Sequence, residues 1–273
     1  MIAATAALTW LLARRQAHGG LAGAALGAAL LAKATALALL PAIVALWWRK
    51  SRRELAIALT VAAAIAGWWY ARNLWLGLSL TGWLADNETH RVLSGLWQIA
   101  WLSAADVEAK SFLWFGGWSF LTLKSWMYRI PEALGAIAVI GLLARRPPRI
   151  AAPITIVLFA FIAYFWGILV DFASQGVPNI PGWYLWAFAS AMCVLFTAGL
   201  GRAAWILIVI FALMDLYAAS AMMAPYYAGL VPHSRADLSM FPHAVSRLGL
   251  AWSLIAAWIA STLAVPALVW RSS

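Results

Sequence analysis

Charged residues are scarce in this chain, and carboxylates are the scarcest among them. Only 10% of the 273 residues are charged, and Asp and Glu together number 9. An ordinary soluble domain is roughly one quarter charged, so it presents far more charge to water than this chain can. The composition, at 65% hydrophobic, therefore excludes a soluble globular domain and leaves the lipid bilayer as the solvent.

Cysteine is also nearly absent. Cys193 is the one cysteine, so no disulfide can form within the chain, and the redox compartment stays undetermined. The four histidines have no cysteines beside them, and this excludes a Cys/His cluster of the kind that binds zinc. We therefore expect no cofactor, apart from the divalent cation considered below.

Positive charge, by contrast, is in excess. The 19 lysines and arginines give a formal net charge of +10. They fall in short clusters between apolar runs, as topology signals do, and not along a face that follows a nucleic-acid backbone. We therefore expect contact with anionic membrane lipids and no nucleic-acid partner.

Long apolar runs, broken at charges and at Pro/Gly clusters, predict transmembrane helices. In lipid the backbone polar groups must be satisfied within the segment, and these runs do not alternate as barrel strands do. We predict an all-α fold: a polytopic transmembrane helix bundle in a single domain, 1–273, with interfacial helices in the outer loop 71–125. The predicted spans are 1–13 (partial), 19–48 as a broken pair, 55–70, 126–144, 151–170, 183–200, 203–223 and 249–270.

Positive clusters orient these spans. Those at 49–53 and 145–149, together with Arg202 and Arg271, fall on one side when the helices are counted, and the positive-inside rule makes that side cytoplasmic. A helix over 19–48 would reach ~45 Å across a ~30 Å hydrocarbon core, so we predict two short helices that meet near Lys33. The predicted location is a bacterial inner (plasma) membrane.

The first apolar run is short. It ends at Leu12 and is followed by Arg14 and Arg15, which is the reverse of the charge order in a signal peptide. A full span needs ~20 residues. We therefore expect this run to be the last part of a helix, completed by an N-terminal portion or a partner subunit.

Two basic residues at the predicted outer side are candidate ligands for a phosphate. Lys33 interrupts an apolar stretch, where an ammonium usually faces protein, a cavity or a lipid headgroup. Arg72 ends an aromatic helix at headgroup level, and a guanidinium matches phosphate in a bidentate manner. The alternatives are a lysine that snorkels to the interface and an arginine that contacts bulk lipid.

The outer loop is rich in tryptophan. Helix-compatible spacing over Leu93–Ala104 predicts an interfacial amphipathic helix. Trp114 and Trp118 flank a pair of glycines and would stack on a sugar or on prenyl chains, or else anchor the loop at the interface. Asp86 and Glu88 would act as a general base or bind a divalent cation; the alternative is solvated loop charge.

Three stretches together resemble the multi-spanning GT-C glycosyltransferases, the superfamily of protein O-mannosyltransferases and aminoarabinose transferases. They are a Gly/Ala/Leu-rich helix pair with a Lys-x-Thr break (19–41), an aromatic helix end (AGWWYARN, 66–73) and an outer-loop segment (FLWFGGW, 112–118). The likeness covers about residues 17–200. Together with the partial first helix, it predicts the C-terminal portion of a longer enzyme of this kind, or a truncated gene product.

The resemblance implies transfer of a sugar from a polyprenyl-phosphate donor at the outer face, by an inverting displacement. It adds Asn73 to the donor site, and it adds Tyr184, which stands in Gly-Trp-Tyr where related sequences have Gly-Arg-Tyr. A truncated or inactive form is left open. The alternatives are a non-catalytic scaffold or lipid-binding subunit, and a transporter in which Asp215 is the intramembrane charge.

Overall fold

The structure, a computed structural model, describes residues 1–13, 18–80, 89–113, 123–145, 147, 150–176, 182–232 and 236–272. Every regular element in these ranges is helical, which confirms the all-α prediction. The α-helices are α1 (Ile2–Ala13), α2 (Gly19–Ala32), α3 (Leu39–Trp47), α4 (Arg52–Trp75), α5 (Thr89–Gln98), α6 (Trp101–Phe112), α7 (Ser125–Arg145), α8 (Ala151–Gln175), α9 (Ala189–Leu200), α10 (Ala204–Tyr217), α11 (Ala224–Tyr227), α12 (Phe241–Arg247) and α13 (Trp252–Ser272).

Shorter helical turns join several of these helices. The connections are 3-10 helices at Ala34–Ala38, Gly182–Phe188, Gly201–Ala203 and Leu238–Met240, and a π-helix at Ala218–Met223. Four helical stretches are long and apolar enough to cross a membrane: Arg52–Trp75, Ser125–Arg145, Ala151–Gln175 and Tyr184–Tyr227. The chain therefore has the helices of an integral membrane protein.

The surface of α8 shows why a bilayer suits this fold. Large apolar side chains stay exposed along it: Ile154, Leu158, Phe161, Ile162, Phe165 and Trp166. Soluble monomers rarely expose a contiguous apolar surface of this kind to water. Lipid would cover these side chains without cost.

The chain, predicted as one domain, divides into two compact units. The first comprises Met1–Glu108 with Arg146–Leu195, and the second comprises Ala109–Arg145 with Phe196–Ser273. In the first unit α8 contacts α1, α3 and α5, and α2 packs along α4. In the second unit α10 contacts α7 and α13.

Glycines on α2 form its contact with α4. They meet residues in ascending order on both helices: Gly19 at Glu54, Gly23 at Ala58, and Gly27 at Ala62. The two helices are therefore parallel, and the chain must return between them. The short helices after Lys33 make that return, so the break lies at the position where the sequence predicts one.

Small residues also allow close helix contact in the second unit. Gly141 on α7 and Gly199 on α9 lie so close that a Cβ at either would clash with the backbone of the other helix. The Arg145 guanidinium donates to the Gly199 carbonyl oxygen at 3.0 Å. Gly201 then adopts φ +58°, which ends α9 and lets the chain turn into α10.

The outer loop differs from the prediction in one respect. The predicted single helix Leu93–Ala104 is wrong, because α5 ends at Gln98 and α6 begins at Trp101. The Trp101 indole N–H donates to the Leu96 carbonyl oxygen at 2.9 Å across the turn. The turn lets both helices pack apolar residues on α8, in a cluster of Val92, Ile99, Ala104, Ile168 and Leu169.

Candidate functional site

Lys33 interrupts the helical chain at the end of α2. Its backbone is extended, with φ −165° and ψ 136°, whereas the residues on either side are helical. The Lys33 amide still donates to the Ala29 carbonyl oxygen, and its carbonyl accepts from the Ala36 amide. A single extended residue therefore joins two hydrogen-bonded turns, and its side chain leaves the line of the helix.

The ammonium of Lys33 lies over an aromatic ring. Its Nζ is 3.7 Å from the centroid of Tyr184, in the 3-10 helix Gly182–Phe188. This is cation–π distance, and the ring offers partial negative charge but no full counter-charge. Within the described residues no carboxylate lies within ion-pair distance of Lys33.

Thr35 provides a second polar group at the same break. Its hydroxyl is buried, and it has no hydrogen-bond partner among the described residues. A buried hydroxyl without a partner costs free energy, so native structures usually satisfy such a group with protein, water or ligand. Lys33 and Thr35 thus supply an ammonium and a hydroxyl two residues apart, and both suit an anionic oxygen.

The end of α4 lies beside this break. The Tyr70 hydroxyl donates to the Leu30 carbonyl oxygen at 2.9 Å, and this buried bond joins the last turn of α2 to the C-terminal part of α4. Because the helices are parallel, Lys33 and Arg72 come at the same end of the pair. Arg72 is exposed, with its guanidinium carbon 5.5 Å from the Trp69 ring centroid.

Asn73 has a structural use next to Arg72. Its side chain is 1% exposed, and its amide nitrogen donates to the Leu80 carbonyl oxygen at 3.3 Å. Its own carbonyl accepts from the Leu78 amide at 2.9 Å. These bonds shape the turn after α4, and a role for Asn73 in binding the donor stays a prediction.

A group that the sequence analysis did not select lies where α6 meets α8. The Tyr164 hydroxyl donates to a carboxylate oxygen of Glu108, and Asp171 lies seven residues further along α8. Asp171 is buried at 4% exposure and accepts from the Gln175 amide at 2.7 Å. Seven residues are two helical turns, so Tyr164 and Asp171 share a face of α8. This spacing is the feature of the sequence that could have indicated the group.

The electrostatics of this group are unusual. Glu108 lies in the segment predicted as the outer loop, outside the predicted spans, and burial raises its pKa from 4.5 to about 7. The hydrogen bond from Tyr164 opposes that rise, and the nearby charge of Asp171 adds to it. Glu108 therefore holds or releases a proton near neutral pH.

Several predicted site residues lie outside the described residues. They are Asp86, Glu88, Trp114 and Trp118, so the roles assigned to them stay predictions. In the part of the chain that the structure describes, no group of three or more His, Cys, Asp or Glu side chains is placed to hold a metal ion. Asp215, the residue on which the transporter alternative depends, is exposed near the end of α10 in the second unit.

Comparisons with protein-family models, with curated protein sequences and with solved structures gave no match. The resemblance to the GT-C transferases therefore remains a prediction from the three sequence stretches alone. Of the predicted donor-site residues, the structure brings Lys33 and Tyr184 into contact and sets Arg72 at the same end of the α2/α4 pair.

Proposed function

We propose that the chain is a membrane glycosyltransferase-like protein that binds the phosphate of a polyprenyl-phosphate sugar donor at Lys33, Thr35 and Tyr184. Arg72 provides a second positive charge at the same end of the helix pair. Transfer takes place at the outer face of a bacterial inner membrane. The support is the geometry of the donor site together with the three stretches that resemble the GT-C superfamily.

One observation carries this proposal. Lys33 lies at the break between two apolar helices, and its ammonium lies over the Tyr184 ring. Among the described residues, no carboxylate lies within ion-pair distance of this ammonium. Lys33 is half-buried at the end of an apolar helix, and a positive charge in such surroundings usually faces protein, a cavity or a lipid headgroup. The phosphodiester of the donor carries one negative charge, which would supply the missing counter-charge, and the Thr35 hydroxyl would donate to one of its oxygens.

Arg72 favours a ligand that belongs to the membrane. It lies in the last turn of α4, and helix geometry sets it ~30 Å from Arg52 in the first turn, which matches the hydrocarbon thickness. Arg72 therefore belongs at headgroup level, and Lys33 at the end of the shorter α2 lies slightly deeper. A lipid phosphate occupies this depth, whereas a soluble sugar nucleotide does not.

The proposed reaction forms one bond and breaks one. The hydroxyl oxygen of the acceptor bonds to the anomeric carbon of the sugar, while the bond from that carbon to the donor phosphate oxygen breaks. The electron pair leaves with the polyprenyl phosphate, where Lys33 and Arg72 stabilise the added negative charge. A carboxylate accepts the proton of the acceptor; Asp86 and Glu88 are the residues predicted for that role.

The test is release of polyprenyl phosphate by the purified protein in lipid, from a panel of polyprenyl-phosphate sugars. We expect turnover by the wild type and by Lys124→Ala, a change at an exposed lysine before α7. We expect Lys33→Ala and Arg72→Ala to lose at least about tenfold in kcat/KM, because each removes a charge from the donor phosphate.

The possible outcomes separate the alternatives. Donor binding without turnover would support the donor site but contradict the assignment of this chain as an active transferase. Absence of both donor binding and turnover would favour the scaffold. Substrate binding near the bilayer midplane that requires the Asp215 side chain would favour the transporter.

A further inference from the structure

The turn between α3 and α4 concentrates positive charge at one end of the first unit. Four cations occupy five positions, and all four side chains are exposed: Arg49, Lys50, Arg52 and Arg53. We name residues 48–53 the basic turn. Backbone bonds from the amides of Lys50 and Ser51 to the Trp47 carbonyl oxygen fix its shape, so its charges are held close together.

The carboxylate nearest in sequence, that of Glu54, is hydrogen-bonded to α2. Glu54 accepts from the Gly19 amide at 2.6 Å and so caps the first turn of α2. Among the described residues, no carboxylate lies within ion-pair distance of Arg49, Arg52 or Arg53. The positive end of the α2 dipole lies at the same level, because α2 and α4 begin together. The three arginines therefore keep a positive field that no described carboxylate neutralises.

Trp48 gives the turn the character of a membrane interface. Its ring is 53% exposed, and the guanidinium carbon of Arg52 lies 5.3 Å from the ring centroid. Exposed tryptophans beside arginines are typical of the headgroup layer, where the ring lies among the ester groups and the charge meets phosphate.

The length of α4 places the turn in one leaflet. Arg52 and Arg72 are twenty residues apart on one helix, a rise of ~30 Å. Each guanidinium lies over a tryptophan, Trp48 at one end and Trp69 at the other. The two Arg–Trp pairs are therefore separated by about the thickness of the hydrocarbon core, so that one pair lies at each surface of the bilayer. The basic turn then lies in the leaflet opposite to the donor site.

We infer that the basic turn is a binding site for anionic phospholipid headgroups in the leaflet opposite to the donor site. Arg49, Arg52 and Arg53 contact the headgroup phosphates, and Trp48 packs beside the glycerol region. Such a site fixes the depth of α4 in the bilayer. It is independent of the donor site, since it uses none of the same residues.

The experiment titrates the full-length protein in neutral detergent with phosphatidylglycerol and resolves the first bound lipid by native mass spectrometry. We expect tighter binding of phosphatidylglycerol than of phosphatidylcholine. For Arg52→Gln/Arg53→Gln we expect about 25-fold weaker binding of the first lipid, because each arginine near an anionic surface contributes about fivefold. Lys124→Gln/Arg247→Gln removes the same charge from two exposed positions elsewhere, and we expect less than about a threefold change.

Three results would overturn the assignment. One is an unchanged first-lipid affinity in Arg52→Gln/Arg53→Gln when circular dichroism shows the fold retained. Another is an equal loss in the control variant, which would make the effect one of net charge. The third is displacement of the lipid by excess inorganic phosphate, which would identify a site for free phosphate.

Discussion

Replacement of Gly23 by alanine tests the parallel contact between α2 and α4. A Cβ at Gly23 would lie 2.5 Å from the Ala58 carbonyl oxygen, 2.8 Å from the Val61 Cβ and 2.9 Å from the Ala58 Cα. Two of these three atoms belong to backbone, so no rotamer change relieves the clash. The helices would have to separate by about 1 Å to restore ordinary contact distances of ~3.5–4 Å.

The free-energy cost follows from two opposing terms. One extra methyl group in a well-packed interface typically costs about 1–3 kcal/mol. Alanine in place of glycine within a helix stabilises the folded state by roughly 0.5–1 kcal/mol, because the unfolded chain has less conformational freedom to lose. We therefore expect Gly23→Ala to lower the free energy of unfolding by about 1–2 kcal/mol, or several degrees in melting temperature.

Two glycines on the same helix pair provide matched controls. A Cβ at Gly67, inside α4, would meet only the Ala63 Cβ at 3.8 Å, and a Cβ at Gly20 would meet nothing within 4 Å. Alanine at either position should leave the melting temperature unchanged or raise it, as followed by tryptophan fluorescence in detergent. Equal melting temperatures for Gly23→Ala and Gly67→Ala would refute the close contact.

Three further predictions concern polar side chains at helix contacts, each checked by thermal unfolding in detergent. Between pH 4.5 and about 7 the folded chain binds the Glu108 proton more tightly than the unfolded chain, so stability falls as pH rises through this range. Glu108→Gln should remove this fall and raise stability at pH 8 by on the order of 1 kcal/mol, allowing for partial exposure. Tyr70→Phe removes the buried bond to Leu30 and should cost about 1–2 kcal/mol. Glu54→Ala leaves the first amide of α2 uncapped and should cost about 1 kcal/mol, with Glu54→Gln intermediate.

Each of these has a contrary result. A pH profile of Glu108→Gln that parallels the wild type would show that another group titrates. A Tyr70→Phe variant as stable as the wild type would show that water replaces the hydroxyl at Leu30. A Glu54→Ala variant that is as stable as the wild type, at both low and high salt, would show that α2 needs no cap from α4.

The helical class of the fold was predictable because lipid allows few choices. Apolar runs of this length without alternation leave the helix as the one element that satisfies its backbone in a bilayer. The break at Lys33 followed from length, since a helix over 19–48 would exceed the hydrocarbon core. The ends of α4 and α8 were harder: both helices run several residues past the predicted spans, because polar residues beyond the hydrocarbon core continue the helix.

The partners within the site could not be predicted. Lys33 and Tyr184 are far apart in sequence, and only the packing of the 3-10 helix Gly182–Phe188 brings them together. The glycine spacing on α2 indicates a close helix contact, but it does not indicate which helix packs against α2. Glu108 and Asp171 were not selected because neither lies in a motif, and the effect of Asp171 on the pKa of Glu108 depends on the docking of α6 on α8.

The most direct test of the account is the equilibrium affinity of the purified protein in lipid nanodiscs for a polyprenyl-phosphate sugar, compared between wild type, Lys33→Ala and Lys124→Ala. If Lys33 holds the donor phosphate, Lys33→Ala should bind at least about tenfold more weakly, while Lys124→Ala should match the wild type. Equal affinity of Lys33→Ala and the wild type, with the fold retained, would contradict the assignment of the donor site.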